Sequence, residues 1–142
     1  MITSDRHMME EQVLRQHLPT NTFRFMDMQT SNPYIVMAVK TRNAKIYTIR
    51  INLDKFPMEI PKAFVTKMLY KKNGEKLDSP SHYMHTLSSE NGWTRICHYD
   101  ESEWTPQVSL YLVYLKCKLW LDMYEAHLVT GTDICDYLTQ TA

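Results

Sequence analysis

The chain has 142 residues, of which 44% are hydrophobic and 23% are charged. This length is enough to bury the core of one domain, and this composition is ordinary for a globular protein. Sixteen basic residues balance sixteen acidic residues, so the net charge gives no sign of a nucleic acid or an anionic membrane as partner. We therefore expect a single domain over residues 1–142.

Other features exclude further classes of protein. No apolar run approaches the roughly 20 residues of a membrane helix, and the first residues lack the basic-then-apolar order of a secretory signal. The sequence has neither G-x-G-x-x-G nor a Walker loop, so we expect no nucleotide cofactor. Three cysteines without paired spacing argue against a disulfide framework and favour a reducing compartment, which predicts a cytoplasmic location.

The first half of the chain predicts one helix and then strands. A helix is expected over Ser4–Leu18, with Ser4 as its cap, Met9 and Val13 on its apolar stripe, and Pro19 ending it. Four β-branched or aromatic segments follow at short spacing, which favours an antiparallel meander. The predicted strands are Thr22–Met28, Tyr34–Thr41, Ile46–Leu53 and Ala63–Tyr70.

The second half changes its pattern. Residues 78–104 are rich in Ser, His and Tyr and predict a long irregular loop, and long loops in compact domains are often functional. Thr105-Pro106 predicts the start of a helix that is apolar nearly all round and therefore largely buried. Gly131 would end this helix, and a short last helix would continue through Leu138. The order of elements is that of an α+β fold.

Two segments resemble the ubiquitin-conjugating (UBC) family. The segment Phe56-Pro57-x-x-Ile60-Pro61, after the third predicted strand, is similar to the proline-rich crossing of that family. The pair Ile96-Cys97, with Trp104-Thr105-Pro106 seven residues beyond the cysteine, is similar to its active-site cysteine and the Trp-Ser/Thr-Pro that leads into a long buried helix. The resemblance covers nearly the whole chain and implies a UBC-like fold with an active-site loop.

One family motif is missing. The family usually carries His-Pro-Asn shortly before its cysteine, and the nearest match here is His85-Thr86-Leu87, slightly farther from Cys97. In the family the asparagine supports the loop and helps to stabilise the oxyanion that forms when a lysine attacks. The resemblance therefore implies that loss of this asparagine weakens lysine ligation more than thioester formation. The resemblance implies that His85 takes the place of the family's histidine, which holds the shape of the loop.

The resemblance implies that Cys97 carries an acyl group as a thioester, which suits a thiolate nucleophile. Arg95 and His98 flank Cys97 and would favour the thiolate, while Asp100 and Glu101 would orient an incoming amine or accept its proton. Trp104 would anchor the loop against the core. In the family the first helix helps to dock the activating enzyme, and a solvated face is the alternative for its basic residues Arg6, His7, Arg15 and His17.

The same residues have other interpretations, which are a packing role, a zinc site and a hydrolase. A free cysteine such as Cys97 is most often a small buried apolar residue, and Cys117 and Cys135 are expected to serve packing. A zinc site built from His82, His85, Cys97 and His98 lacks any supporting Cys-x-x-Cys, so we expect no metal. A cysteine or serine hydrolase would need a nucleophile elbow and ordered partners that the sequence lacks.

The predicted function is that of a transferase that receives an activated acyl group on Cys97 and passes it to a protein. Without an ATP site, adenylation would fall to a separate activating enzyme. The tail from Trp120 to Gly131 is similar to bacterial family members, which are often encoded with antiphage systems such as CBASS, where the partner is a cGAS-like nucleotidyltransferase. The alternative is a catalytically inactive UBC-fold protein-binding module in which Cys97 is incidental.

Overall fold

The computed structural model describes residues 2–141, with side chains described for residues 2–138. Within this range the chain forms three α-helices and one antiparallel sheet of six strands, which is the expected α+β class. The elements in chain order are α1 (Ser4–His17), β1 (Phe23–Met26), β2 (Tyr34–Lys40), β3 (Ile46–Asn52), β4 (Ala63–Val65), β5 (Thr86–Glu90), β6 (Trp93–Ile96), α2 (Leu110–Thr130) and α3 (Ile134–Thr141).

The strand order in the sheet is β1-β2-β3-β4-β6-β5. The first four strands are neighbours in chain order, as the meander predicted, although β4 keeps only three residues of its predicted span. The chain leaves the ladder after Val65, and the Leu69 N–H instead donates to the Thr94 hydroxyl at 2.9 Å. A side-chain acceptor thus replaces a strand partner at this point.

The prediction of an irregular loop over residues 78–104 is wrong for its central part. Strands β5 and β6 form a hairpin there, and β6 extends the sheet by pairing with β4. The turn is Asn91-Gly92, with φ of 56° and 74°, which is the strongest short signal for a hairpin. The flanking strands are short and polar, and β5 has a bulge between Leu87 and Glu90, so they lack the apolar pattern of a strand.

The core lies between α2 and one face of the sheet. Alternate residues of β2 and β3, such as Met37 and Ile49, have no exposed surface and pack toward α2. Helix α2 begins later than predicted, at Leu110, because Ser109 rather than Thr105 is its cap. Gly131 ends α2 in the left-handed conformation with φ of 78°, as expected. No helix in the described part of the chain combines the length and the apolarity needed to cross a bilayer.

Helix α1 buries a different face from the predicted one. Met9 is 49% exposed, whereas Glu10 is 1% exposed and Leu14 is completely buried. Thr3 rather than Ser4 caps the helix, because its hydroxyl accepts from the Arg6 N–H. The helix therefore turns a charged residue, rather than a methionine, toward the core.

The buried Glu10 carboxylate joins α1 to the start of α2. It accepts from Arg6 Nε and from the Leu110 N–H, each at 2.7 Å. The Arg6 guanidinium also donates to the carbonyls of Pro106 and Val108, at 2.6 and 2.9 Å. A carboxylate near the first amides of a helix is favourable, because it satisfies an N–H that has no partner within the helix. This network fixes the segment that leads from the 97–104 loop into α2.

Loss of the Glu10 carboxylate should destabilise the fold strongly. Glu10→Ala leaves the Arg6 Nε and the Leu110 N–H without their acceptor, so we expect the free energy of unfolding to fall by about 3 kcal/mol. Urea denaturation measures this change. Glu11→Ala on the same helix is the matched control, because Glu11 is more exposed and lies 3.6 Å from Arg15. It should cost less than about 1 kcal/mol, and equal losses in the two variants would refute the role of Glu10.

Candidate functional site

Cys97 lies immediately after β6, where the sheet gives way to the 97–104 loop. Its backbone N–H donates to the carbonyl of His85 at 3.0 Å, and the preceding residue Ile96 is buried in the core. The backbone at Cys97 is therefore held by the sheet, while its side chain is half-buried at the end of an interior strand. The structure thus places the cysteine at the surface end of a rigid strand.

Two cavities meet at Cys97. The larger groove, of about 640 Å³, lies between the 54–62 segment and the loop that follows β6. The smaller cavity, of about 220 Å³, lies between the same loop and helices α2 and α3. Four consecutive residues, Cys97 to Asp100, line both. Cys97 is therefore on a wall that can be approached from either side.

Trp104 joins the loop to the 54–62 segment. Its indole N–H donates to the Pro57 carbonyl at 2.9 Å. Its ring meets Phe56 and Tyr99 edge-on, with centroids 6.2 and 5.3 Å apart. A half-buried indole favours an acceptor for its N–H, and here that acceptor belongs to the 54–62 segment, other residues of which line the larger groove. Trp104 thus fixes the width of this groove at one end.

His85 shapes the site mainly through its backbone. Its carbonyl accepts both from the Cys97 N–H and from the Trp120 indole of α2, each at 3.0 Å. The residue has φ of 49°, in the left-handed region, and its side chain lines the smaller cavity. Burial, with a smaller effect from His82, lowers the pKa of His85, and Asp100 partly offsets this. The imidazole is therefore neutral at physiological pH.

His98 does not supply the positive charge that the sequence predicted beside Cys97. Burial, together with the charges of Arg95 and Lys116, lowers the pKa of His98 to about 4, although a contact with the Ile96 carbonyl opposes the shift. The imidazole is therefore uncharged at neutral pH and cannot stabilise a thiolate as a cation. Its Nε2 atom is buried without a hydrogen-bond partner among the described residues.

The Cys97 thiol is less acidic than a free cysteine. Burial raises its pKa, the nearby Asp100 carboxylate raises it further, and the Arg95 guanidinium partly offsets both. Arg95 favours the thiolate as expected, whereas His98 is uncharged and does not, and burial and Asp100 outweigh the effect of Arg95. At neutral pH the resting thiol is mostly protonated, so its proton must be removed as the sulfur attacks.

The other cysteines differ from Cys97. Cys117 is completely buried in α2, and burial raises its pKa to about 12, which confirms its prediction as a packing residue. Cys135 is half-buried on α3, and its backbone N–H donates to the Tyr83 carbonyl at 2.9 Å. Neither residue lines the two cavities that meet at Cys97.

The structure adds residues to the site that the sequence analysis did not include. Tyr99, Glu103 and Lys116 line the smaller cavity, and Met58 lines the larger groove with 72% of its surface exposed. Lys116 lies on α2, far from Cys97 in sequence, and only the packing of α2 against the loop brings the two together. Of the two cavities, Glu101 lines only the larger groove.

Metal chemistry finds no support in the arrangement of side chains. The described residues include no group of three or more His, Cys, Asp or Glu side chains placed to share a metal ion. His82 and His85 do approach each other, with ring centroids 5.8 Å apart. Two imidazoles are fewer protein ligands than the three or four of typical zinc sites.

Comparison with models of protein families, with curated proteins and with solved structures finds no match to this chain. The site contains the Cys97 thiol, which has a raised pKa and lies between two cavities. The Asp100 carboxylate and the neutral imidazoles of His85 and His98 lie near it.

Removal of the Asp100 charge should make Cys97 more reactive. An anion beside the sulfur disfavours the thiolate, so Asp100→Asn lowers the pKa of Cys97 and increases the thiolate fraction below that pKa. We expect alkylation of Cys97 by iodoacetamide at pH 7.5 to accelerate roughly twofold to tenfold. Peptide mass spectrometry over time gives the rate at Cys97 separately from that at Cys135.

Two further variants test the sign of this effect. Arg95→Gln removes the charge that favours the thiolate and should slow the alkylation. Glu103→Gln is the matched control, because Glu103 lines the smaller cavity but is not among the charges that shift the pKa of Cys97. An equal acceleration in Asp100→Asn and Glu103→Gln would show that the carboxylates act only through the general charge of the surface.

Proposed function

We propose that the protein is a UBC-like acyl carrier in which Cys97 receives an activated acyl group as a thioester and transfers it to a protein nucleophile. The observation that carries the proposal is the placement of Cys97 on the wall between two cavities. A carrier must meet a donor and later an acceptor at the same sulfur. Two approaches to one nucleophile suit this task.

The order of elements supports a UBC-like fold. A first helix, a meander, a proline-containing crossing, a cysteine after a strand and a long helix follow one another as the resemblance implies. The backbone carbonyl of His85 accepts from the Cys97 N–H and so ties this position to the cysteine, although the bond does not depend on the histidine side chain. The bulged β5–β6 hairpin accommodates the longer spacing between the two residues.

The chemistry balances with the groups at the site. The Cys97 sulfur attacks the carbonyl carbon of the donor, its proton passes to a base, and the donor's leaving group departs. A protein amine then attacks the thioester, the bond to sulfur breaks, and the thiol is restored. Asp100 lines both cavities and acts on the pKa of Cys97, so it is the candidate to accept the proton of the amine. The raised pKa of Cys97 makes its sulfur a poorer leaving group, which favours a longer-lived thioester.

The tail that resembles bacterial family members is made of residues with structural roles. The Trp120 indole donates to the carbonyls of Met84 and His85 at 3.0 Å, and the Tyr124 hydroxyl donates to the Tyr70 carbonyl at 2.7 Å. His127 accepts from the Lys72 N–H at 3.1 Å. The bacterial subgroup, with its CBASS setting, a separate activating enzyme and a cGAS-like nucleotidyltransferase partner, is proposed from the sequence resemblance of this tail alone.

A binding module without catalysis is the second candidate. Where the family has proline and asparagine, this chain has Thr86 and Leu87. The Thr86 hydroxyl donates to the Ser79 carbonyl at 2.9 Å and is therefore already engaged, and Leu87 has no polar side chain. Neither residue replaces the oxyanion donor of the family. This candidate predicts that Cys97 never carries a group.

A thiol-labile adduct on Cys97 should distinguish the two candidates. The full-length protein is recovered under non-reducing conditions from cells that express its native operon, and its mass is measured before and after dithiothreitol. We expect an added mass that dithiothreitol removes and that maps to Cys97. Cys97→Ser should hold the same group as an oxyester that resists dithiothreitol, because oxygen forms the more stable ester.

Cys135→Ala is the matched control, since it removes a half-buried cysteine outside the two cavities, and it should keep the adduct. Cys97→Ala should lose it. Absence of any adduct on Cys97, with partner binding equal in the wild type and Cys97→Ala, would refute the carrier and favour the binding module.

A further inference from the structure

Lys116 projects from α2 to the wall of the smaller cavity that Cys97 also lines. Its ammonium lies over the ring of Tyr99, 5.2 Å from the centroid. It is also one of the charges that lower the pKa of His98, the residue that follows Cys97. Three separate observations therefore place the Lys116 amine close to the Cys97 segment.

Other lysines near the site are placed differently. Lys55 and Lys62 line the larger groove rather than the smaller cavity, and the ammonium of Lys62 is paired with Glu90 at 2.7 Å. Lys118, on the same helix as Lys116, is paired with Asp122 at 3.3 Å and does not line the smaller cavity. Within the described residues Lys116 takes part in no ion pair, and its side chain is exposed.

We infer that Lys116 is a self-acylation site, at which the group carried by Cys97 is transferred to an amine of the same chain. This inference rests on the proposed function, because the thioester on Cys97 is its substrate. The neutral Lys116 amine attacks the thioester carbonyl, a C–N bond forms, the C–S bond breaks, and Cys97 recovers its thiol. The product is an amide that thiols cannot reverse.

The smaller cavity also holds the groups that such a transfer requires. Asp100 and Glu103 line it beside Lys116 and can take the proton that the amine loses. Helix α2 is rigid here, because Trp120, about one turn after Lys116, is bonded to the carbonyl of His85. Because the sulfur and the amine line one cavity and belong to one chain, the amine has a raised effective concentration at the sulfur.

The modification would limit the activity of the protein. An acyl group linked to Lys116 occupies the smaller cavity and remains beside the sulfur that delivered it. The approach to Cys97 from this side is then closed, while the larger groove stays open. Acylation of Lys116 would thus inactivate a carrier that has been loaded on Cys97 but has bound no acceptor protein.

A synthetic donor tests the inference without the native one. Full-length protein is incubated at pH 8 with a short glycine-ending peptide thioester of 2-mercaptoethanesulfonate, and is then treated with hydroxylamine, which cleaves thioesters but not amides. We expect a hydroxylamine-sensitive adduct on Cys97, followed by a resistant adduct that maps to Lys116. Lys116→Arg and Cys97→Ala should each reduce the resistant adduct at least tenfold.

Lys118→Arg is the matched control and should keep the resistant adduct on Lys116. If Cys97 is loaded but Lys116 gains no more label than Lys118, the self-acylation site is wrong and the acyl carrier stands. If Cys97 takes no label beyond that of Cys135, the carrier and the site are both wrong. Loaded Lys116→Arg mixed with Cys97→Ala tests transfer between chains, and label on Lys116 of Cys97→Ala would overturn transfer within one chain.

Discussion

The carbonyl of His85 holds the site together, because it accepts one hydrogen bond from the end of the sheet and another from the long helix. The Cys97 N–H and the Trp120 indole both donate to it at 3.0 Å. A carbonyl oxygen has two lone pairs, so one atom can join both layers of the fold. Cys97 is therefore fixed where the sheet meets α2, and the two cavities lie on either side of that junction.

Burial decides the electrostatics of the site more than net charge does. His98 is neutral because desolvation disfavours its charged form, and the nearby charges of Arg95 and Lys116 lower its pKa further. The same effect raises the pKa of Cys97, and Asp100 adds to it. A thiol of this kind is a slow nucleophile until its proton is taken and a stable carrier once it is acylated, which suits the proposed role better than rapid hydrolysis. Lys116 lines the smaller cavity, and transfer to its amine is the proposed route by which the acyl group leaves the Cys97 sulfur within the same chain.

The sequence could predict the α+β class, the first three strands nearly to their ends, and the glycine that ends α2. These features depend on local patterns: alternation in Ile46–Asn52 and a residue at Gly131 that tolerates positive φ. The Asn91-Gly92 pair is also a sequence signal for a hairpin turn. The strands on either side of it are polar, however, and lack the apolar alternation that predicts a strand. Cys97 was singled out through a family resemblance, and the carrier function stays a proposal.

Tertiary structure alone decided the remainder. Glu10 lies in a helix whose predicted apolar stripe ran through Met9 and Val13, and its hydrogen bonds with Arg6 and with the Leu110 N–H explain its burial. The pKa of His98 depends on what covers it, and the nearness of Lys116 to Cys97 depends on how α2 packs against the loop. The physical reason is the same in each case. Secondary structure follows from residues a few positions apart, whereas burial and charge at a site are set by groups distant in the chain, whose positions no local pattern contains.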